Sequence, residues 1–333
     1  FYTRAAETFY ELGSLEAAIE HYRAALEAQR DYAPALTGWR QAALSGELWL
    51  DFAESARRQA ELESEPTERA RLLHLAAIAM MDRVLNSDSA AELLRQVLEL
   101  DPQHADAFAR LRLLFDEEGQ HEELVALLEA QTLIAEDLET RLELHHAAAD
   151  IYRTFFDDRD RASHHLREML ELQPDNLGAI AALSDISWEQ GEWAEAAEAL
   201  IQRARLETSP AILRNIFYRL GLIYADRLPD ERWAIKSFEK VLSYDDNDLE
   251  ALIRLADLYA QVEDWSQALG ACERLIKAET RPTAKIDHLH RAAKIYVNGF
   301  QDAARAEQAL RIALDVDPTS EKALAGVIEF FES

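Results

Sequence analysis

The sequence predicts an all-α chain built as a stack of antiparallel helix pairs, and three observations carry that prediction. Only 10 Gly and 8 Pro punctuate 333 residues, too few for the turn every ten residues or so that an all-β fold needs. A small residue opens the second apolar stripe of successive helix pairs: Ala18, Ala53, Ala90, Ala162, Ala196, Ala234, Ala268 and Ala306, with Leu124 as the one larger member. Ala18, Ala90, Ala162, Ala234 and Ala306 stand 72 residues apart, as do Leu124, Ala196 and Ala268, so the unit is a pair of about 36 residues and the better unit a double pair. Proline agrees: Pro102, Pro174 and Pro318 each follow the small residue by 12 positions, and Pro34, Pro66, Pro210 and Pro282 fall between pairs. No proline ring then needs to clash inside a helix.

Taken in order, the pairs cover residues 1–33, 34–66, 67–102, 103–136, 137–174, 175–209, 210–246, 247–281 and 282–318. Gly13, Gly46, Gly119 and Gly191 mark the tight turn inside several of them. From the third pair onward the odd-numbered pairs carry extra residues between their helices, around Asn86–Ser89, Asp157–Arg161, Leu228–Arg232 and Gly299–Ala303, with Pro229 inside one of these turns. Trp49, His121, Trp193 and Trp265 step by 72 at the start of second helices and are expected to pack. The pair at 34–66 is the most degenerate, with Gln41 and Arg57 at small or apolar places; Gln131 and Arg203 also depart from the apolar seam. After Pro318, Ser320 is expected to cap one more helix reaching Glu332, with Leu324, Val327, Ile328 and Phe331 as its stripe. That helix is either a terminal cap or the first helix of a further pair, and the bulk of Ile328 favours the cap. No linker rich in Gly, Ser or Pro interrupts the chain, so 1–333 is expected to be one continuous array.

Composition narrows the function. Lys and Arg number 35 against 63 Asp and Glu, a net charge of −28, which repels nucleic acid and anionic membranes. No basic run exceeds two residues, as at Arg57-Arg58, and no apolar run approaches the ~20 residues of a membrane span. Solubility or a basic partner accounts for the charge. The single cysteine, Cys272, excludes an intrachain disulfide and a Cys-based zinc site, and it is expected to be a buried small hydrophobe. Lys occurs at only six positions among much Arg, Ala and Leu, which points to a GC-rich bacterial genome. The chain opens on Phe1 with no signal pattern, as a processed product or an excised fragment would. The compartment stays open, with the cytoplasm favoured. No Gly-rich phosphate loop, GxSxG elbow or HExxH occurs, so no catalytic residue and no cofactor is assigned.

The best single unit reads Phe217-x2-Leu220-Gly221-x2-Tyr224, then Ala234-x3-Phe238-x2-Val241. Its neighbour reads Leu252, Leu255-Ala256, Tyr259, then Ala268, Cys272 and Leu275. Small residues at 221 or 256 and at 234 or 268 let the two helices approach, and large residues between them fill the seam. This pattern resembles the tetratricopeptide repeat (TPR), and nine pairs in register extend the resemblance over essentially the whole chain. The resemblance implies a right-handed solenoid of antiparallel helix pairs with a terminal extra helix, whose first helices line a concave groove. It implies a non-catalytic interaction scaffold holding a peptide or partner protein in that groove, and the charge allows a basic one. Two alternatives are the recognition or regulatory arm of a larger enzyme or assembly and, disfavoured by the charge, a helical-repeat RNA-processing protein.

Within the groove, the column three residues before the small position reads His74, His146, Tyr218 and His290, again in steps of 72. It is either a ladder of polar rings for an extended ligand or packing beside the next helix. Arg110 and Arg254, two residues before the small position of even pairs, could hold carboxylates or simply be solvated. The family's chaperone-tail class clamps a terminal carboxylate with Lys and Asn; the matching column pairs here include His74/Ile78, His146/Asp150, Tyr218/Leu222, Ile253/Asp257 and His290/Lys294, so that ligand class is disfavoured. The surrounding acids are expected to keep the ladder histidines charged to higher pH. His145-His146 and His164-His165 lie on the two helices of one pair. Neighbours on a helix diverge by about 100°, so only one of each doublet could face a common ion, and no metal is expected. The oligomeric state is open.

Overall fold

The seam alanines lie within second helices, and Pro34, Pro66, Pro210 and Pro282 lie at the first turn of first helices. The computed structural model describes residues 1–332, and these form nineteen α-helices with no strand among the described residues. Nine pairs run α1 (Tyr2–Glu11) with α2 (Leu15–Ala28), α3 (Ala33–Ser45) with α4 (Trp49–Leu62), α5 (Pro66–Ala79) with α6 (Ser87–Leu100), α7 (Ala105–Glu117) with α8 (His121–Thr132), and α9 (Leu138–Ile151) with α10 (Arg159–Leu172). They continue as α11 (Leu177–Gln190) with α12 (Trp193–Leu206), α13 (Pro210–Leu222) with α14 (Glu231–Tyr244), α15 (Leu249–Gln261) with α16 (Trp265–Ala278), and α17 (Pro282–Phe300) with α18 (Ala303–Val316). The last helix is α19 (Glu321–Glu332), whose Ala323 N–H is capped by the Ser320 hydroxyl. The chain divides into two compact units, Phe1–His165 and Leu166–Ser333.

The seam is the core. Ala18, Ala90, Ala162, Ala234, Ala268 and Ala306 are fully buried, and Phe238 fills the space opposite Gly221. A Cβ at position 221 would lie 2.7 Å from that ring, so the glycine is there to admit it. Cys272 is buried in the same cluster, and burial pushes its thiol up to about 12, which makes it inert. Among the off-pattern residues, Gln131 donates to the Pro102 carbonyl at 2.8 Å, and Arg57 pairs with Glu54 and Glu61 on its own helix.

The extra residues of the odd pairs are not loops. They continue the first helix as a π turn at Met80–Val84, Tyr152–Phe156 and Ile223–Arg227, and in the ninth pair α17 runs on through Phe300. Each extension closes with a backbone bond six residues long: Asn86 to Met80, Asp158 to Tyr152, Asp230 to Tyr224 and Asp302 to Tyr296, at 2.9–3.0 Å. The same four residues cap the second helix through their side chains. The reason for the extension lies in the preceding pair. The aromatic residue that opens each even pair's second helix meets it: Trp49 carries Arg83, His121 stacks on Phe155 at 3.6 Å, Trp193 carries Arg227, and Trp265 lies against Gly299. The partner positions again step by 72.

The turns show one departure from the glycine pattern. The left-handed residue is Gly119 or Gly191 in two even pairs and Glu47 or Glu263 in two others, at φ between 55° and 75°. In the second pair Gly46 has φ −92°, so the strained position is its neighbour Glu47. A side chain in this region costs about 1–2 kcal/mol, partly offset by the greater freedom glycine gives the unfolded chain. Glu263→Gly is therefore expected to stabilise the protein by about 0.5–1 kcal/mol, and Gly191→Glu to do the reverse, both measurable as midpoint shifts in urea unfolding.

Candidate functional site

The first helices carry the residues singled out from sequence, and the structure links four of them through carboxylates on neighbouring first helices. In the first unit His74 on α5 meets Asp106 on α7, Nε2 to Oδ2 at 2.7 Å. Arg110, one turn further along α7, donates from Nε to the same oxygen at 2.8 Å and from Nη1 to both oxygens of Asp82 at 3.2 Å. In the second unit Tyr218 on α13 donates to Glu250 on α15 at 2.5 Å, and Arg254 donates to Asp226 at 3.2 Å. Each member of the second set stands 144 residues after its counterpart in the first. A polar tetrad thus occupies the same four register positions in both units, linked through Asp106 in the first and formed of two separate pairs, Tyr218–Glu250 and Arg254–Asp226, in the second.

The other two ring positions lack the tetrad. His146 is exposed, and its Nδ1 lies 3.3 Å from Asp150 on its own helix. In the 72-residue register the place of Asp106 and Glu250 is held there by Gly178, which has no acceptor side chain. His290 is half-buried, its Nε2 has no hydrogen-bond partner, and Gly326 of α19 comes so close that a Cβ would lie 2.5 Å from the ring. The corresponding place in that pair is Lys322, which pairs instead with Asp287. Around His290 the first helices α15, α17 and α19 enclose a hollow of about 570 Å3, crossed by the Arg291–Asp257 ion pair at 2.9 Å. The matching Arg219–Asp185 pair, 72 residues earlier, closes at 2.6 Å.

Burial reverses the expected protonation at two of the ladder's histidines. It pushes the His74 and His290 imidazoles below their ordinary value, against the pull of Asp106 on the first and of Asp287 on the second. Lys322 and Lys294 add to the effect at His290. The surrounding acids therefore do not hold these rings charged. Asp106 is itself held below the usual carboxylate range: partial burial opposes this, but hydrogen bonds from Arg110 and His74 prevail. Burial, with Glu250 beside it, pushes Tyr218 up to about 12.

The sign for stability follows. A histidine whose folded value lies below its unfolded value of about 6.5 contributes stability above that pH and loses it as pH falls through and below it. Urea midpoints are expected to decline between about pH 7 and 5, and less steeply in His74→Gln; an identical slope in that variant would remove His74 from the effect.

The two histidine doublets resolve into one inward ring from each. His145 and His165 face one another, Nδ1 to Nδ1 at 3.0 Å, both buried. His165 Nε2 lies 3.3 Å from Glu129, which also accepts from Tyr152 at 2.7 Å. Among the described residues no group of three or more His, Cys, Asp or Glu is placed to hold a metal ion.

Nine helix pairs and one terminal helix among the described residues define a helical-repeat protein. Tetratricopeptide-repeat models match residues 1–32, 156–211 and 251–285, and the chain is built of tetratricopeptide repeats. Similar solved structures include YrrB, described as a TPR protein with an unusual peptide-binding site, at 18% identity and TM-score 0.42 over 57% of this chain and 97% of that one. The C-terminal part of a TPR repeat-containing protein from Cytophaga hutchinsonii is 20% identical at TM-score 0.43, over 75% of this chain and 98% of that one. Yeast Tom70 is 14% identical at TM-score 0.33, over 99% and 80%. No curated protein matches the sequence. Repeats of this kind build protein-interaction scaffolds that are in general not catalytic. Among the described residues no helix is long and apolar enough to cross a membrane.

Proposed function

We propose that, within each unit, the face formed by the first helices is a groove that binds an extended, basic segment of a partner protein, with that unit's tetrad as its principal contact. The observation that carries this reading is the repetition of the tetrad at 144 residues. Each copy holds two carboxylates and one guanidinium, leaving one negative charge while its histidine or tyrosine is neutral. Asp82, Asp106 and Asp226 remain about half exposed, free to accept from a lysine, an arginine or a peptide N–H. The net charge of −28 favours a cationic protein segment over nucleic acid. The remaining ladder rings His146 and His290, and Arg110 and Arg254 within the tetrads, serve as secondary contacts. The same face would equally serve a recognition arm within a larger assembly.

The test is titration of a fluorescein-labelled lysine-rich peptide, followed by anisotropy. Asp106→Asn with Glu250→Gln is expected to weaken binding about tenfold or more with helicity unchanged, and His74→Ala with His146→Ala and His290→Ala to weaken it less. Unchanged affinity in the carboxylate pair would place the binding surface elsewhere.

A further inference from the structure

The second helices carry a surface of the opposite character. Between α12 and α14, over α13, lies a hollow of about 340 Å3 whose walls are apolar: Ile201, Phe217, Leu220, Tyr224 and the half-exposed Trp233. It adjoins a second hollow of about 620 Å3 that shares Ile201, Tyr224 and Arg205 and contains one acid, Glu198. Three cations, Arg205, Lys236 and Lys240, stand around the first hollow. None of the three forms an ion pair among the described residues. Lys236 lies over the Trp233 ring at 5.2 Å and Lys240 over Tyr244 at 5.4 Å, while the nearby Glu239 is taken up by Tyr259.

Other odd pairs do not repeat this arrangement. In the 72-residue register the place of Lys236 is Glu92, His164 or Gln308, and that of Lys240 is Gln96, Glu168 or Ile312. The place of Trp233 is Ser89, Arg161 or Arg305. Two of the chain's six lysines and an exposed tryptophan therefore gather at one pair of nine, on a protein with 63 acids. At the hollow's edge stands Ser237, where the same register has Leu93, His165 or Ala309.

We propose that this hollow is a second docking site, distinct from the first-helix groove, for a protein segment in which an aromatic or leucine side chain is flanked by carboxylates. The apolar side chain enters between Phe217, Tyr224 and Trp233, where it is desolvated on several sides. The flanking carboxylates take Lys236, Lys240 and Arg205, which the protein leaves without anionic partners. Charge complementarity selects this occupant over the lysine-rich segments proposed for the groove, because three cations repel those.

Two labelled synthetic peptides test the proposal by anisotropy, one alternating Glu with Phe and Leu, the other with Lys in place of Glu. The acidic peptide is expected to bind, with affinity falling as salt rises. Lys236→Glu with Lys240→Glu should weaken it about tenfold or more, as should Trp233→Ala, and Phe→Ser in the peptide should abolish most of the remainder. Lys236→Gln with Lys240→Gln gives the milder form of the test, with circular dichroism as the check on folding. The carboxylate variants of the groove should leave acidic-peptide binding unchanged, which separates this site from the first-helix face. Absence of acidic-peptide binding, equal binding of the lysine peptide at this site, or indifference to the lysine variants would each overturn the assignment.

Discussion

Phe238→Ala should be among the most destabilising single substitutions in the protein, costing about 3–5 kcal/mol. The ring is fully buried, lies edge-on to Tyr218 at a centroid distance of 5.8 Å, and fills the gap that Gly221 opens. Removing it leaves a void bounded by two helix backbones. Those backbones are held by the small residues Gly221 and Ala234, which have no side chain able to swing into the space. The loss of burial and the residual cavity therefore add. Urea unfolding followed by circular dichroism measures the effect, with Phe238→Leu as the milder comparison. In a repeat protein the loss should be local, since each pair is stabilised by itself and its neighbours. A cost below about 1 kcal/mol would mean that the seam can close over the void.

The second large effect concerns the facing histidines of the fifth pair. In the third pair the same two register positions are Leu73 and Leu93, both buried, and in the ninth they are Leu289 and Ala309. His145 and His165 thus substitute a hydrogen-bonded polar pair for an apolar one. Replacing His165 alone by Leu removes the Nδ1 partner of a buried His145 and should cost about 1–3 kcal/mol. Replacing both by Leu restores the apolar seam found elsewhere in this chain and should cost clearly less than the sum of the two single changes. A double-mutant cycle reads the coupling directly. Additive costs would show that the two rings stabilise the pair independently, despite their 3.0 Å approach.

The helix-pair repeat, the cap at Ser320 and the burial of Cys272 were legible because each depends on residues close in sequence or on the period itself. The seam alanines and the prolines between pairs are required by helix packing and by the proline ring wherever they occur. What a residue on the first-helix face does depends on a partner about 32 residues away, so the column of His74 and Tyr218 was visible while Asp106 and Glu250 were not. The 144-residue recurrence of an acid at Asp106 and Glu250, beside that of Asp82 and Asp226, was a signal that could have found them. The extra residues of odd pairs were readable as an insertion, but a π turn differs from a loop only in its hydrogen bonds. The Trp193–Arg227 contact that gives the turn its purpose joins two pairs. Burial also decided the protonation of His74 and His290 against the surrounding acids, and a count of carboxylates contains no information on how far a ring is withdrawn from water.

The two kinds of joint between successive pairs have a mechanical consequence. Where an aromatic ring opening a second helix leans on the next pair's π turn, as at Trp49 with Arg83 or His121 with Phe155, the brace rests on ring contact. Where His74 meets Asp106, or Tyr218 meets Glu250, it is a polar link with its charge near water. Within each unit the array therefore behaves as a spring with alternating stiff and adjustable coils. Raised salt should soften the coils tied by Asp106 and Asp226 more than the one where His121 stacks on Phe155, while the joints at Trp193 and Trp265 also carry the Arg219–Asp185 and Arg291–Asp257 ion pairs. Under tension the chain should lengthen first between the third and fourth pairs and between the seventh and eighth, which are the joints whose opening would also reshape the groove.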